Sequence, residues 1–204
     1  MEILDERCIF IFCVEEERTM SRVCVFFADG LEEVEALTVV DLLRRAKVEV
    51  TMVSIHEKEE ILGAHGIKIQ ADARMSQIDD YQEFDMVFLP GGGTGTDNLE
   101  NSGKVKEVVS EFAKKGKKVA AICAAPRILG GLGLLEGRRC TSYPSVTDRL
   151  LGGVVTENAV ETDGNITTSR GVGTAVDMGL ELIRILCGEK RAEEIREEIV
   201  YRRM

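Results

Sequence analysis

The chain has 204 residues, 44% of them hydrophobic and 30% charged, and carries a formal net charge of −10. That is enough apolar material for a sizeable core in one domain, or in two very small ones. The acidic balance argues against nucleic acid as the main partner, which needs a basic face, and no apolar stretch reaches the length of a membrane-spanning helix.

Residues 1–19 hold one short apolar run, 8–14, with acids on both sides. They lack the basic front and small-residue cleavage site of a signal peptide. Met20-Ser21-Arg22, followed at once by a strand-like run, reads as a second start. Residues 1–19 are therefore expected to be an extension, disordered or a mis-assigned start, and 20–204 a single domain.

Residues 23–27 are a continuous apolar run closed by Ala28-Asp29-Gly30, a strand ending in a turn. The apolar spacing of Val34, Leu37, Val40, Leu42 and Leu43 predicts a helix over 32–45, with Glu32, Glu33 and Glu35 in its first turns. Residues 48–55 read as a second strand, making a βαβ unit and hence a parallel sheet. The alternation Ile67-Lys68-Ile69-Gln70 after Gly63-Ala64-His65-Gly66 suggests a short strand or hairpin. A buried strand over 85–89 runs into Pro90 and the glycine-rich stretch 91–95, and a helix is expected over 104–115. Further on, 117–122 reads as a strand, 125–132 as a helix, and 138–142 as a strand, with a short helix opening at Tyr143-Pro144-Ser145. Short strands are expected around 154–155, 159–160 and 165–168, then a long amphipathic helix to Cys187 and a charged helix over 189–201. This alternation predicts a three-layer α/β architecture.

The six cysteines (8, 13, 24, 123, 140 and 187) form no C-x-x-C pair and only two histidines accompany them, which leaves no zinc-site pattern. Cys24, Cys140 and Cys187 lie in apolar runs, as suits reduced thiols in a cytoplasmic protein. Cys123 stands apart. It ends the apolar run 119–122 and is followed by Ala124-Ala125-Pro126, the small residues that a tight strand-to-helix elbow requires. A thiol at that corner faces the positive end of a helix, so its pKa is expected to fall. The competing reading is a buried structural cysteine.

The stretch 91–95 lacks the Gly-Lys-Ser/Thr ending of a phosphate loop and fits no G-x-G-x-x-G register. Its amides, at the carboxyl end of a parallel strand, can instead line a site at the sheet edge. Beside the elbow, the amides of Gly92 and Ala124 would make an oxyanion hole. No histidine follows Cys123; His56 and His65 lie far upstream. A carboxyl held neutral by burial can take over proton handling. Glu35 is placed for that role, although an acid at a helix front also has a purely structural explanation.

Phe27-Ala28-Asp29-Gly30-Leu31-Glu32-Glu33-Val34-Glu35, Leu89-Pro90-Gly91-Gly92, Ala120-Ala121-Ile122-Cys123-Ala124-Ala125-Pro126 and Thr168-Ser169-Arg170-Gly171-Val172-Gly173-Thr174 together closely resemble the ThiJ/PfpI superfamily. The similarity is to the branch of the parkinsonism-associated protein DJ-one and its bacterial relatives. The resemblance implies a flavodoxin-like three-layer sandwich with a mainly parallel sheet, of the class I glutamine amidotransferase type, assembled as a homodimer. It implies a nucleophile at Cys123, a protonated partner at Glu35, and oxyanion or substrate donors at Gly92 and Ala124. It places Arg45 and His65 where relatives approach the site from the dimer interface. Two positions depart from the pattern. Tyr143 stands where many relatives have a histidine before proline, and Ala124 stands where the protease-like branch has histidine. A tyrosine is a poor general base near neutral pH, so a peptidase is not expected.

The implied activity is a cysteine-dependent enzyme, needing neither cofactor nor metal, that acts on small reactive aldehydes or glycated substrates as a glyoxalase or deglycase. The alternatives are a redox-sensing holdase chaperone using an oxidisable Cys123, and a role in thiamine-thiazole metabolism, which some relatives carry as a label. No phosphate- or pyrimidine-specific motif supports the last of these.

Overall fold

The computed structural model describes residues 20–202; the expected extension over 1–19 lies outside them. The chain runs β1 (Arg22–Phe27), α1 (Glu33–Arg45), β2 (Glu49–Ser54), β3 (Glu60–Leu62), β4 (Lys68–Gln70), β5 (Ala73–Arg74), β6 (Met86–Leu89), α2 (Gly93–Asn101), α3 (Gly103–Lys114), β7 (Lys118–Ile122), α4 (Pro126–Gly131), β8 (Arg139–Cys140), β9 (Val154–Val155), β10 (Val160–Asp163), β11 (Ile166–Ser169), α5 (Ala175–Cys187) and α6 (Glu189–Glu198).

One seven-stranded sheet in the order β10-β11-β7-β6-β1-β2-β5 forms the middle layer. Its pairs are parallel except β10 against β11. The alternation along β1 explains the layering, because successive side chains leave a strand on opposite faces. Val23, Val25 and Phe27 pack with Val39, Leu43, Met178 and Ile183 of α1 and α5. Cys24, Phe26 and Ala28 pack on the other side with Val105, Val109 and Phe112 of α3 and Ile128 of α4. Both faces are covered, so the strands read as unbroken apolar runs. Full burial of each large apolar side chain contributes about 1.5–3 kcal/mol, and Phe26, Phe27, Phe88 and Phe112 are all fully buried. This is the three-layer α/β architecture expected from the alternation of elements, in the flavodoxin-like form that the family resemblance implies.

Strand order reverses between β1 and β6, which lie side by side although α1, β2 and three further short strands separate them in the chain. Beyond the carboxyl ends of strands at such a switch point, an open α/β sheet has its natural crevice. Glu35, Gly91, Gly92 and Cys123 all come from segments that leave those ends.

Two details differ from the sequence reading. Residues 93–101, which begin in the glycine-rich stretch and carry no helix signal in the sequence, form α2. Gly93-Thr94-Gly95-Thr96 has poor helix propensity, yet buried Leu99 and the close approach of Gly95 to Leu31 anchor the segment. The strand expected over 138–142 shrinks to Arg139–Cys140, and the helix after Tyr143 is a 3-10 turn, Pro144–Arg149. Other boundaries follow local signals: Ser102 Oγ accepts from Val105 N at 3.3 Å to cap α3, and Pro126 opens α4.

Candidate active site

Cys123 sits at the corner between β7 and α4 with φ of +65°, a left-handed conformation that a side chain adopts only under constraint. The constraint is visible in its backbone. Its N–H donates to Ser169 O at 2.9 Å, and its C=O accepts from Tyr143 N at 2.8 Å. The elbow is thus pinned to β11 on one side and to the 143–149 turn on the other.

Glu35 lies in the first turn of α1 with no solvent exposure. Its Oε2 accepts from Gly91 N at 3.1 Å, while its buried Oε1 meets no N–H or O–H donor and is left to the Cys123 thiol. That free oxygen faces the thiol. A single point beside Gly171 lies 3.6 Å from Glu35 Oε1 and 3.7 Å from Cys123 Sγ. Gly91 makes the juxtaposition possible, since a Cβ there would fall 2.3 Å from Glu35 Oε2 and 2.5 Å from the Cys123 Cβ. Gly92 follows with φ of +94°, and a Cβ on it would meet Gly30 O at 2.4 Å.

Burial pushes the Glu35 carboxyl up to about 7, with the Cys123 hydrogen bond and the Gly91 amide pulling down and the charge on Glu32 pushing up. Burial also pushes the Cys123 thiol up to about 12; the Glu35 carboxylate adds to this, and the amides of Gly92 and Ala124 oppose it. The depressed thiol pKa expected from the helix terminus is therefore corrected, because burial and a facing negative charge outweigh the amides. The two groups are coupled and compete for a proton. With Glu35 ionised, the sulfur keeps its proton. With the proton on Glu35, the repulsion disappears and the carboxyl becomes a donor toward sulfur.

The sequence-selected residues separate cleanly. Cys123, Glu35, Gly92, Ala124 and Tyr143 line one cleft of about 690 Å³, together with Glu32, Arg127, Pro144, Arg170 and Gly171. Tyr143 is half exposed at its wall. Arg45 and His65 do not line the cleft of their own chain. Arg45 is paired with Asp41 and Glu198 at the far end of α1. The His65 ring lies 2.9 Å from Glu33 Oε2, and Glu33 Oε1 accepts from His65 N, so this acid secures the 63–67 turn. Sequence reasoning overlooked Gly91 as the donor to Glu35, and Arg127. Gly91 carried a signal, lying in the Leu89-Pro90-Gly91-Gly92 motif; Arg127 carried none.

A model of the DJ-1/PfpI family matches residues 21–185. The chain belongs to this family. Protein DJ-1 homolog A of Arabidopsis thaliana is 37% identical over 183 residues, which are 88% of this chain and 46% of that protein. The chain thus spans about half the length of that relative. A protein named as a deglycase from Pyrococcus abyssi is 32% identical over 167 residues, 81% of this chain and 99% of that one. Among solved structures, oxidized DJ-1 of Toxoplasma gondii superposes with a TM-score of 0.86 at 30% identity, over 90% of this chain and 100% of that chain. The likeness to this solved structure extends to the overall architecture of a mostly parallel sheet flanked by helices.

Proposed function

We propose that this DJ-1/PfpI family member is a cysteine-dependent, cofactor-free enzyme acting on reactive carbonyls, of the glyoxalase or deglycase type. The observation that carries the reading is the pairing of the Cys123 thiol with a buried Glu35 carboxyl whose Oε1 has no N–H or O–H partner. The resemblance to a named deglycase supports the same substrate class. With a pKa of about 7, Glu35 can both accept and return a proton near neutrality.

For methylglyoxal, the Cys123 sulfur adds to the aldehyde carbon, and the thiol proton passes through Glu35 to the carbonyl oxygen, giving a hemithioacetal. The amides of Gly92 and Ala124 hold that oxygen while it is charged. Glu35, again a carboxylate, takes the proton from the aldehyde carbon, and an enediolate forms. That proton returns to the neighbouring carbon and the hydroxyl proton passes to the neighbouring oxygen, leaving a lactoyl thioester. Water, deprotonated by Glu35, cleaves the thioester to lactate and restores the thiol. For a glycated amine the Cys123 sulfur displaces the nitrogen at the carbon that carries it: the C–N bond breaks as the C–S bond forms, the thiol proton passes through Glu35 to the departing amine, and the same hemithioacetal results. We place the reaction in a cytoplasmic homodimer. Exposed Val34 and Leu37, one turn apart on α1, are an apolar strip suited to a second copy. Among the described residues no helix is long and apolar enough to cross a membrane.

The test is lactate formation from methylglyoxal by purified, chelator-treated protein. Cys123→Ser is expected to lose the activity; a serine variant with the full wild-type rate would sink the mechanism. A redox-sensing reading uses the same thiol and predicts that mild peroxide places two oxygens on Cys123 alone.

A further inference from the structure

The two amides assigned to the oxyanion sit on different elements. Gly92 caps α2, and Ala124 precedes α4. Their spacing depends on how those two helices are held, and α2 is a weak, glycine-rich helix. Arg127, the second residue of α4, reaches across. Its Nε donates to Glu100 Oε2 at 3.0 Å, and its other arm pairs with Asp97. Asp97 and Glu100 are three residues apart on α2 and so share a face. Arg149 holds the other Glu100 oxygen at 2.8 Å from the turn that follows Tyr143. The Arg127 side chain is only 11% exposed and Glu100 27%, which sets this pair apart from fully exposed surface pairs, whereas Asp97 lies open to solvent.

We infer that Arg127 is a positioning residue: its fork clamps α2 to α4 and thereby sets the separation of the Gly92 and Ala124 amides. A guanidinium suits this work because its planar donors fix angle as well as distance, which an ammonium does not. Arg127 and Arg149 balance Asp97 and Glu100, so the cluster acts through geometry and not through its field on the sulfur. The inference rests on the proposed role of the two amides, and the experiment separates the two claims.

The probe is 1,1,1-trifluoroacetone, whose carbonyl carbon forms a C–S bond with the Cys123 thiolate while its oxygen takes the charge. The adduct is followed by fluorine NMR in wild type, Arg127→Lys, Arg127→Met and the triple variant Asp97→Asn/Glu100→Gln/Arg127→Met. Lactate kinetics, the pH profile of iodoacetamide alkylation and thermal unfolding accompany it. A misplacement of about 1 Å costs on the order of a hundredfold in rate, so partial loosening in Arg127→Met is expected to weaken the adduct about tenfold or more. kcat should fall by a similar factor with KM little changed, and Arg127→Lys should lie in between. The alkylation profile should move far less than the adduct affinity, because burial and Glu35 dominate the proton affinity of the thiol and the two amides are the smaller influence. The triple variant should stay impaired, since it relieves acid–acid repulsion without restoring the link; it also carries the test if Arg127→Met alone fails to fold. Wild-type adduct affinity in the triple variant would overturn the clamp, as would an alkylation profile shifted in step with the adduct. If wild type binds the ketone and the variants bind it weakly, yet no lactate forms, the clamp stands and the proposed enzymatic activity falls. If wild type forms no adduct, the amides are not oxyanion donors and the clamp falls with them.

Discussion

Replacing Glu35 with glutamine converts the site's electrostatics into a stability measurement. The carboxyl is fully buried, and burial raises it from 4.5 to about 7. A raised acid pKa means that the folded state holds the proton more tightly than the unfolded chain. Below pH 4.5 both states are protonated and the group adds no pH-linked cost. As pH rises from 4.5 to 7 the unfolded chain ionises first, and stability is progressively lost. Above 7 both states are ionised and the loss is complete. At about 1.4 kcal/mol per pKa unit, the full penalty is on the order of 3 kcal/mol. Glutamine is nearly isosteric, carries no charge and keeps an oxygen for the Gly91 amide. Urea unfolding of wild type and Glu35→Gln at several pH values is the assay. The stability gain of the variant should be smallest near pH 4.5 and larger by about 3 kcal/mol at pH 8. Titrating groups remote from the site cancel in the difference between the two proteins, and the thiol, pushed up to about 12 in the wild type, stays protonated there over this range. A difference that stays flat from pH 4.5 to 8 would refute the claim that Glu35 holds its proton to near neutrality. Lactate formation should meanwhile collapse in the variant, because an amide cannot carry the proton.

Gly91→Ala should cost at least about 1–3 kcal/mol of stability through overpacking, because its Cβ would lie within 2.5 Å of both Glu35 and Cys123; it should also abolish lactate formation, and wild-type kinetics would contradict the geometry. Glu33→Ala removes the acceptor for His65 N and Ile67 N and should cost about 1–3 kcal/mol, read as faster amide exchange confined to residues 63–67. The same variant should bring the His65 ring back toward its ordinary pKa in an NMR titration, since the Glu33 hydrogen bond is the main cause of its upward shift. Tyr143→Phe should leave the lactate rate close to wild type. A loss of about 10²–10⁴ would instead make the phenol a general acid or base.

The order of strands and helices was legible because each buried strand here is an apolar run and each covering helix has an apolar stripe. Those signals are local. The helix α2 was not legible: its residues resemble a turn, and only burial of Leu99 and contact with Leu31 make it helical. The elbow announced itself through small residues around Cys123, a requirement of chain geometry that composition reveals directly. Its proton affinity could not be read in the same way. A helix terminus lowers a thiol pKa and burial raises it, and which wins depends on how deep the sulfur lies and what faces it.

By itself, then, the sequence determined the layered α/β architecture, the unusual position of Cys123, and, through four motifs in order, the DJ-1/PfpI resemblance. Tertiary structure decided which acid meets the sulfur. Glu32, Glu33 and Glu35 are alike as helix-front carboxylates, but only Glu35 is fully buried against Cys123 while Glu33 turns to the 63–67 loop. It also decided that Arg127 bridges two helices, since a charged residue looks the same in sequence whether it faces only solvent or two carboxylates 27–30 positions upstream. Periodicity records which face of an element is apolar; which polar groups meet depends on distances across the folded sheet.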